Sequence, residues 1–133
     1  MANTAKTSNT VAISKRTKGK LPSLPFETIK DAVLGQSYEL SLVFAGDTLT
    51  KRLNKTYRGK DTVPNILSFP LSETEGELFI NPHKVKKEKK AFDMSEKEVM
   101  AFLFIHGLLH LSGLDHGSTM ESKEETLSKR FGV

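Results

Sequence analysis

Residues 95–116 read SEKEVMAFLFIHGLLHLSGLDH. They begin with Ser95 and Glu98 at the spacing of a capping box, which predicts the start of a helix that runs to about Leu111. The middle of this helix, residues 101–105, is apolar on every side, and such a helix is buried in a core rather than laid on a surface. The stretch therefore predicts a rigid central helix for a compact domain.

The end of this helix carries His106 and His110, and His116 follows six residues later. Residues four apart share one helix face with Cβ atoms about 5–6 Å apart, so two imidazoles can bind one Zn²⁺ at about 2.0–2.1 Å from each nitrogen. Gly113 can end the helix in a left-handed conformation and let His116 approach from outside. Three protein ligands leave the fourth position for water, as in catalytic zinc sites. The spacing thus predicts a catalytic metal site at the end of the buried helix.

Composition bounds the class of protein. The 133 residues are expected to form one domain over 1–133, in which 1–20 could be a flexible basic segment. There is no cysteine, so any metal must be held by nitrogen and oxygen. No apolar run reaches about 18 residues, so we expect no membrane span and interpret the chain as cytoplasmic. The net charge of +4 suits a polyanionic partner, and the basic residues form two clusters: Lys51, Arg52, Lys55, Arg58 and Lys60, then Lys84, Lys86, Lys87, Lys89 and Lys90.

The other segments predict strands between helices. Alternation and turn residues predict strands over 11–14, 38–45, 66–69 and 77–80. Helical spacing predicts helices over 26–34, from Asp47 or Thr48 as the cap to Gly59, and from Thr119 onward, whereas 84–92 fits either a loop or an exposed helix. This order predicts an α/β (α+β) fold, a single compact domain with a mixed sheet of about four strands packed with helices.

The histidines also repeat the intervals of the metzincin metalloprotease motif, His-Glu-x-x-His-x-x-Gly-x-x-His. In that motif the Glu is the general base, but this chain has Gly107 in its place. Glycine cannot take a proton, which argues against peptide hydrolysis. Asp115 could orient an imidazole or serve as a base; the alternative is an ordinary turn aspartate.

Arg58 lies just before Gly59, at a predicted helix end. A guanidinium there could bind a phosphate with two hydrogen bonds and stabilise charge that grows on a phosphoryl group. The alternative is a partner for the helix dipole or a surface ion pair. Arg58 is therefore a second candidate for the chemistry.

Three segments together resemble the hallmark segments of the YbeY family, namely Tyr57-Arg-Gly-Lys-Asp61, Asn65-Ile-Leu-Ser-Phe-Pro70 and His106-Gly-Leu-Leu-His-Leu-Ser-Gly-Leu-Asp-His116. That family comprises bacterial and organellar rRNA maturation factors described as zinc-dependent single-strand endoribonucleases, with a compact α/β domain. The resemblance implies that His106, His110 and His116 are the zinc ligands. It also implies that Arg58 is the basic residue needed for RNA cleavage.

The resemblance implies a single-strand-specific, metal-dependent endoribonuclease that acts in ribosomal RNA maturation and ribosome quality control. We expect one Zn²⁺ per chain, although imidazole also suits other divalent transition metals. The expected partner is ribosomal RNA or the small ribosomal subunit, with no DNA and no membrane. The general base is not assigned, and the three candidates are Asp115, hydroxide on the metal and the RNA 2′-hydroxyl. The alternatives are a metallopeptidase-like hydrolase and a non-catalytic ribosome-associated zinc protein.

Overall fold

Four strands form one mixed sheet in the computed structural model, which describes residues 10–114 and 117–132. The strands are β1 (Val11–Arg16), β2 (Glu39–Ala45), β3 (Ile66–Pro70) and β4 (Glu75–Ile80). Their order across the sheet is β1-β2-β4-β3, in which β1, β2 and β4 run parallel and β3 is antiparallel to β4. The predicted four-stranded mixed sheet is confirmed, and β3 lies at one edge of it.

The helices of the described ranges are α1 (Phe26–Leu34), α2 (Asp47–Arg58), α3 (Pro82–Phe92), α4 (Glu96–Leu111) and α5 (Ser118–Phe131). The ambiguous residues 84–92 belong to α3. This helix forms because the Asn81 side chain accepts hydrogen bonds from two backbone N–H groups of the first turn, and Pro82 suits the first helical position. No helix within these ranges is both long and apolar enough to cross a membrane.

Helix α4 is the centre of the hydrophobic core. Its start has both hydrogen bonds of the predicted capping box, between Ser95 and Glu98. Ten of its 16 residues are buried, and α1, α3, α5, β3 and β4 pack against it. Each fully buried Phe, Leu or Ile contributes roughly 1.5–3 kcal/mol relative to an exposed one. The predicted buried helix is therefore confirmed, and the histidines are carried by a firmly held element.

Helices lie on both faces of strand β3. Ile66 and Ser68 of β3 face α4, because each lies beside Gly107 of that helix. Side chains alternate along a strand, so Phe69 points to the opposite face, where its ring contacts Tyr57 of α2 at a centroid distance of 5.4 Å. Strand β3 thus lies between the histidine helix and the helix that carries Arg58.

The start of α2 differs from the prediction that Asp47 or Thr48 caps the helix. The N-cap residue is Gly46, and it makes no side-chain capping bond. The Asp47 carboxylate instead accepts a hydrogen bond from Asn81 Nδ2 at 2.8 Å and contacts His83 Nδ1 at 3.1 Å. The capping prediction was wrong because a tertiary contact with the start of α3 takes the carboxylate that a local cap would have used.

Candidate metal centre

The two histidines of α4 point their ring nitrogens at one another. The distance between His106 Nε2 and His110 Nε2 is 3.2 Å, and the ring centroids are 4.7 Å apart. Both residues are half-buried, whereas the residues between them, Gly107 to Leu109, are buried in the core. The helix therefore presents the two imidazoles side by side at the boundary between core and solvent.

This separation fits two ligands of a single metal ion. Two nitrogens at about 2.0–2.1 Å from a tetrahedral Zn²⁺ would be about 3.3 Å apart. The observed 3.2 Å between the Nε2 atoms is close to that distance. An all-nitrogen pair of this kind also suits other borderline transition metals. His106 and His110 can therefore hold a metal ion in the way that their spacing predicts.

The third predicted ligand, His116, and the predicted accessory residue Asp115 lie outside the described residues. Gly113 has a φ of 99°, the positive value expected where the chain turns away from a helix. Within 10–114 and 117–132, no three His, Asp or Glu side chains are arranged to hold one ion. The described part of the chain thus supplies two of the three predicted ligands, and the set of three stays a prediction.

Glu124 of α5 supports the first histidine, a contact that the sequence did not predict. His106 Nδ1 donates to Glu124 Oε2 at 2.5 Å, and both side chains are largely buried. A carboxylate on Nδ1 fixes the tautomer that leaves Nε2 unprotonated, which is the form that binds a metal. The sequence makes Asp115 a candidate for an orienting carboxylate; for His106 that contact comes from Glu124.

A signal for Glu124 was present in the sequence. Met120 and Leu127 are apolar residues of the last helix, and Met120 is buried in the core. Glu124 lies between them, four residues after one and three before the other, on the same helix face. A buried glutamate on an apolar stripe needs a partner. The pattern could have indicated a buried partner, but it could not have told which residue that partner is.

Arg58 reaches the edge strand that packs on the histidine helix. Its Nη2 donates to the carbonyl oxygen of Ser68 at 3.3 Å. The Ser68 hydroxyl in turn donates to the carbonyl oxygen of Gly107 at 3.5 Å. Gly107 directly follows His106 in the chain. A guanidinium has five N–H donors, so the bond to Ser68 leaves this exposed side chain able to bind an anion as well. Two hydrogen bonds therefore link Arg58 to the helix of the candidate metal centre.

The packing of α4 explains why position 107 is a glycine, which the motif comparison did not predict. A Cβ at this position would lie 2.7 Å from Ile66 Cδ1 and 2.9 Å from Leu78 Cδ2. The helix lies close against the sheet here, so a larger side chain would have to displace core residues. A glutamate at position 107 would therefore point into the sheet. The missing protease base is a consequence of how this helix packs.

The fourth histidine is part of a separate polar group. His83 contacts Asp47 at the start of α2, and Asn81 joins them through Asp47 and the Thr50 hydroxyl. The hydrogen bond from Asn81, followed by the contact with His83, lowers the pKa of Asp47 below its ordinary value. This group ties the starts of α2 and α3 together and is a structural feature.

Both basic clusters lie on the surface. The first belongs to α2 and the residues just after it, and the second lies along α3. The helix that ends at Arg58 therefore carries three further positive charges, Lys51, Arg52 and Lys55, all of them exposed. Such a surface attracts polyanions, and salt weakens the attraction.

Comparisons with known proteins give the family. A sequence model described as Endoribonuclease YbeY matches residues 3–132. An endoribonuclease YbeY from Neorickettsia sennetsu is 31% identical over 124 residues, which cover 85% of this chain and 87% of that protein. One from a Nitratiruptor species is 40% identical over 114 residues and covers 80% and 78%. One from Thermodesulfovibrio yellowstonii is 42% identical over 84 residues. This match covers 58% of this chain and 53% of that protein.

A solution structure of a Thermotoga maritima protein has the same fold, with a TM-score of 0.66 at 22% identity over 92% of this chain and 89% of that one. At this identity the likeness concerns the fold alone. The family model, by contrast, spans almost the whole sequence, including the Arg58 segment and the histidine helix. The chain therefore belongs to the endoribonuclease YbeY family.

Proposed function

We propose that this chain is a cytoplasmic, single-strand-specific endoribonuclease that uses one divalent transition-metal ion, with Zn²⁺ as the expected ion, and acts in the maturation and quality control of ribosomal RNA. The observation that carries the proposal is the 3.2 Å separation of the His106 and His110 Nε2 atoms, with Arg58 bonded to the strand beside them. The family supplies the reaction class, hydrolysis of RNA. Ribosomal RNA as the substrate rests on the family resemblance.

The protein groups have separate tasks in this proposal. His106, His110 and His116 hold the ion, and Glu124 keeps the first imidazole in the metal-binding tautomer. A bound divalent metal supplies Lewis acidity toward the phosphodiester and makes a nearby water more acidic. Arg58 braces the phosphate from the side of β3 and balances charge that grows on its oxygens. The lysine clusters contact the RNA backbone without regard to its sequence.

The metallopeptidase alternative lacks its base, since position 107 is a glycine and a glutamate there would clash with Ile66 and Leu78 of the sheet. The non-catalytic alternative, a ribosome-associated zinc protein, differs in one measurable respect. Such a protein would bind RNA and zinc but cut nothing. Cleavage assays with RNA and with peptide substrates therefore separate the three functions.

The test is cleavage of an end-labelled single-stranded RNA by purified protein of known metal content. We expect cleavage of this RNA, but not of a duplex or single-stranded DNA of the same sequence. His110→Ala and Arg58→Ala should each lose at least about 100-fold in rate, as expected when a group that stabilises transition-state charge is removed. His83→Ala and Arg130→Ala are the matched controls and should cleave like wild type.

Two results would contradict the proposal. If wild type, His110→Ala and Arg58→Ala cut at equal rates, the activity belongs to a contaminating nuclease. If metal-loaded wild type binds RNA and never cuts it, the non-catalytic alternative is correct. Cleavage of peptide substrates in place of RNA would restore the metallopeptidase alternative.

A further inference from the structure

Tyr57 is an exposed aromatic residue beside Arg58. Its relative exposure is 68%, the highest among the aromatic residues that the structure describes. Packing therefore accounts for little of its presence, because a side chain that stays mostly in water contributes little hydrophobic stabilisation. A large ring in water next to a candidate phosphate-binding arginine calls for another explanation.

The ring of Tyr57 is held in place from one side. It contacts the ring of Phe69 on β3 at 5.4 Å with an interplanar angle of 62°, and Phe69 contacts Phe79 on β4 at 5.8 Å and 75°. Edge-to-face contacts of this kind fix the orientation of rings and are worth about 0.5–1.5 kcal/mol each. The three rings form an aromatic ladder, anchored on two neighbouring strands, whose outer member is Tyr57.

Tyr57 and Arg58 reach consecutive residues of the same strand. Tyr57 contacts Phe69, while Arg58 donates to the carbonyl oxygen of Ser68. The last turn of α2 thus presents an exposed ring and an exposed guanidinium next to each other. A nucleotide has the matching pair of groups, a base with a π face and a phosphate, joined through the sugar.

The charge around the ring favours a nucleic acid over an apolar partner. Lys51, Arg52 and Lys55 lie on the same helix, and Lys60 follows it. Proteins that bind single strands without sequence preference combine a positively charged surface with aromatic side chains on which the bases stack. A base that stacks on a protein ring must be unpaired, which also fits a single-stranded substrate.

From this arrangement we propose that Tyr57 is a base-stacking residue, which holds an unpaired RNA base next to the phosphate bound by Arg58. The inference rests on the proposed function for the identity of the ligand as RNA. It adds a contact to the base, which the metal centre and the lysines do not provide. Because every base has a π face, the contact selects for unpaired RNA and tolerates any sequence.

The experiment measures binding in the His110→Ala background, so that cleavage does not interfere. The probes are a fluorescently labelled single-stranded RNA and a chain of the same length and charge without bases. Tyr57→Leu should weaken binding of the RNA by roughly 5- to 150-fold, the range expected for the loss of one stacked base. It should leave binding of the abasic chain unchanged. Tyr57→Phe keeps the ring and should bind RNA like the parent protein.

Tyrosine fluorescence gives a second readout. The chain has two tyrosines and no tryptophan, and Tyr38 is buried. Quenching of the emission by RNA should therefore report Tyr57, and the Tyr57→Phe protein supplies the blank. In the binding measurement, Phe92→Leu is the matched control for Tyr57→Leu, since Phe92 is an exposed aromatic residue on a different helix, α3. We expect this variant to bind RNA like the parent protein.

Three outcomes would overturn the inference. Equal RNA affinity of Tyr57→Leu and its parent would show that the ring makes no contact. An equal loss for the abasic chain would mean that the substitution disturbs the phosphate contacts. A loss with Phe92→Leu in place of Tyr57→Leu would move the base contact to α3. Each is separable from failure of the nuclease proposal, which would appear as wild-type protein that does not cut RNA, whatever Tyr57 does.

Discussion

The Nε2 atoms of His106 and His110 lie 3.2 Å apart, within about 0.1 Å of the separation of two nitrogens on one tetrahedral zinc ion. The two residues belong to a helix whose other faces are buried, so the pair is held by the core. A site on so rigid an element keeps its geometry before the metal binds. The predictions below follow from this pair and from the contacts that surround it.

The first prediction concerns metal content. We expect wild-type protein to bind one Zn²⁺ per chain, measured by elemental analysis after dialysis against a buffered zinc solution. His110→Ala removes one proposed ligand and should lower the zinc affinity. The loss should exceed the roughly 10- to 100-fold that follows when a residue hydrogen-bonded to a metal ligand is removed. His83→Ala is the control and should keep full zinc, because that imidazole contacts Asp47 on another part of the surface. Equal zinc in both variants would rule out the proposed site.

The second prediction concerns Glu124. Glu124→Gln keeps the size of the side chain but removes the charge that holds the Nδ1 proton of His106. The zinc dissociation constant should rise about 10- to 100-fold, measured by competition with a chelating dye. Glu125→Gln is the matched control, since Glu125 is exposed and contacts Lys129. If the two variants bind zinc alike, Glu124 has only a structural role.

The third prediction concerns the close approach at Gly107. Glycine to alanine in a helix usually stabilises by about 1 kcal/mol. Here the added methyl group would meet Ile66 and Leu78 at less than 3.0 Å, so we expect Gly107→Ala to lower the free energy of unfolding by about 1–2 kcal/mol instead. Urea denaturation measures the change. Adding Ile66→Val removes the nearest methyl group and should restore part of the loss, whereas simple additivity of the two changes would contradict the packing explanation.

The fourth prediction concerns pH. The hydrogen bond from Asn81 and the contact with His83 lower the pKa of Asp47 in the folded protein. The ionised carboxylate therefore stabilises the fold above the unfolded pKa, near 3.8, and this contribution disappears as the pH falls through the lower folded value.

Asp47→Asn should thus be less stable than wild type at neutral pH, by less than about 1 kcal/mol because the carboxylate is partly exposed. The difference should vanish in strong acid. Denaturation at a series of pH values measures it, and Asp61→Asn, an exposed aspartate 4.0 Å from Lys51, should show no such trend. A stability difference that persists unchanged at low pH would contradict the ionic explanation.

Several features followed from the sequence because their causes are local. The capping box at Ser95 and Glu98 predicts the start of a helix, and the unbroken apolar run after it predicts that the helix is buried. Both signals depend only on residues that are close together in the sequence. The i, i+4 spacing of His106 and His110 places both on one face for the same reason. Alternation of side chains likewise predicted the strands, although β4 begins two residues earlier than expected, at Glu75.

Other features were decided only when distant segments met. Glu124 contacts His106 across 18 positions of sequence, and Ser68 joins Arg58 to Gly107 across the edge of the sheet. Asp47 bonds to Asn81, 34 residues away, instead of capping its own helix. No local pattern specifies such partners, because they depend on which surfaces the packed core brings together. The sequence by itself determined the histidine helix and its pair of candidate metal-binding side chains. The tertiary structure decided which groups contact that pair and its helix, namely Glu124 and the residues of β3.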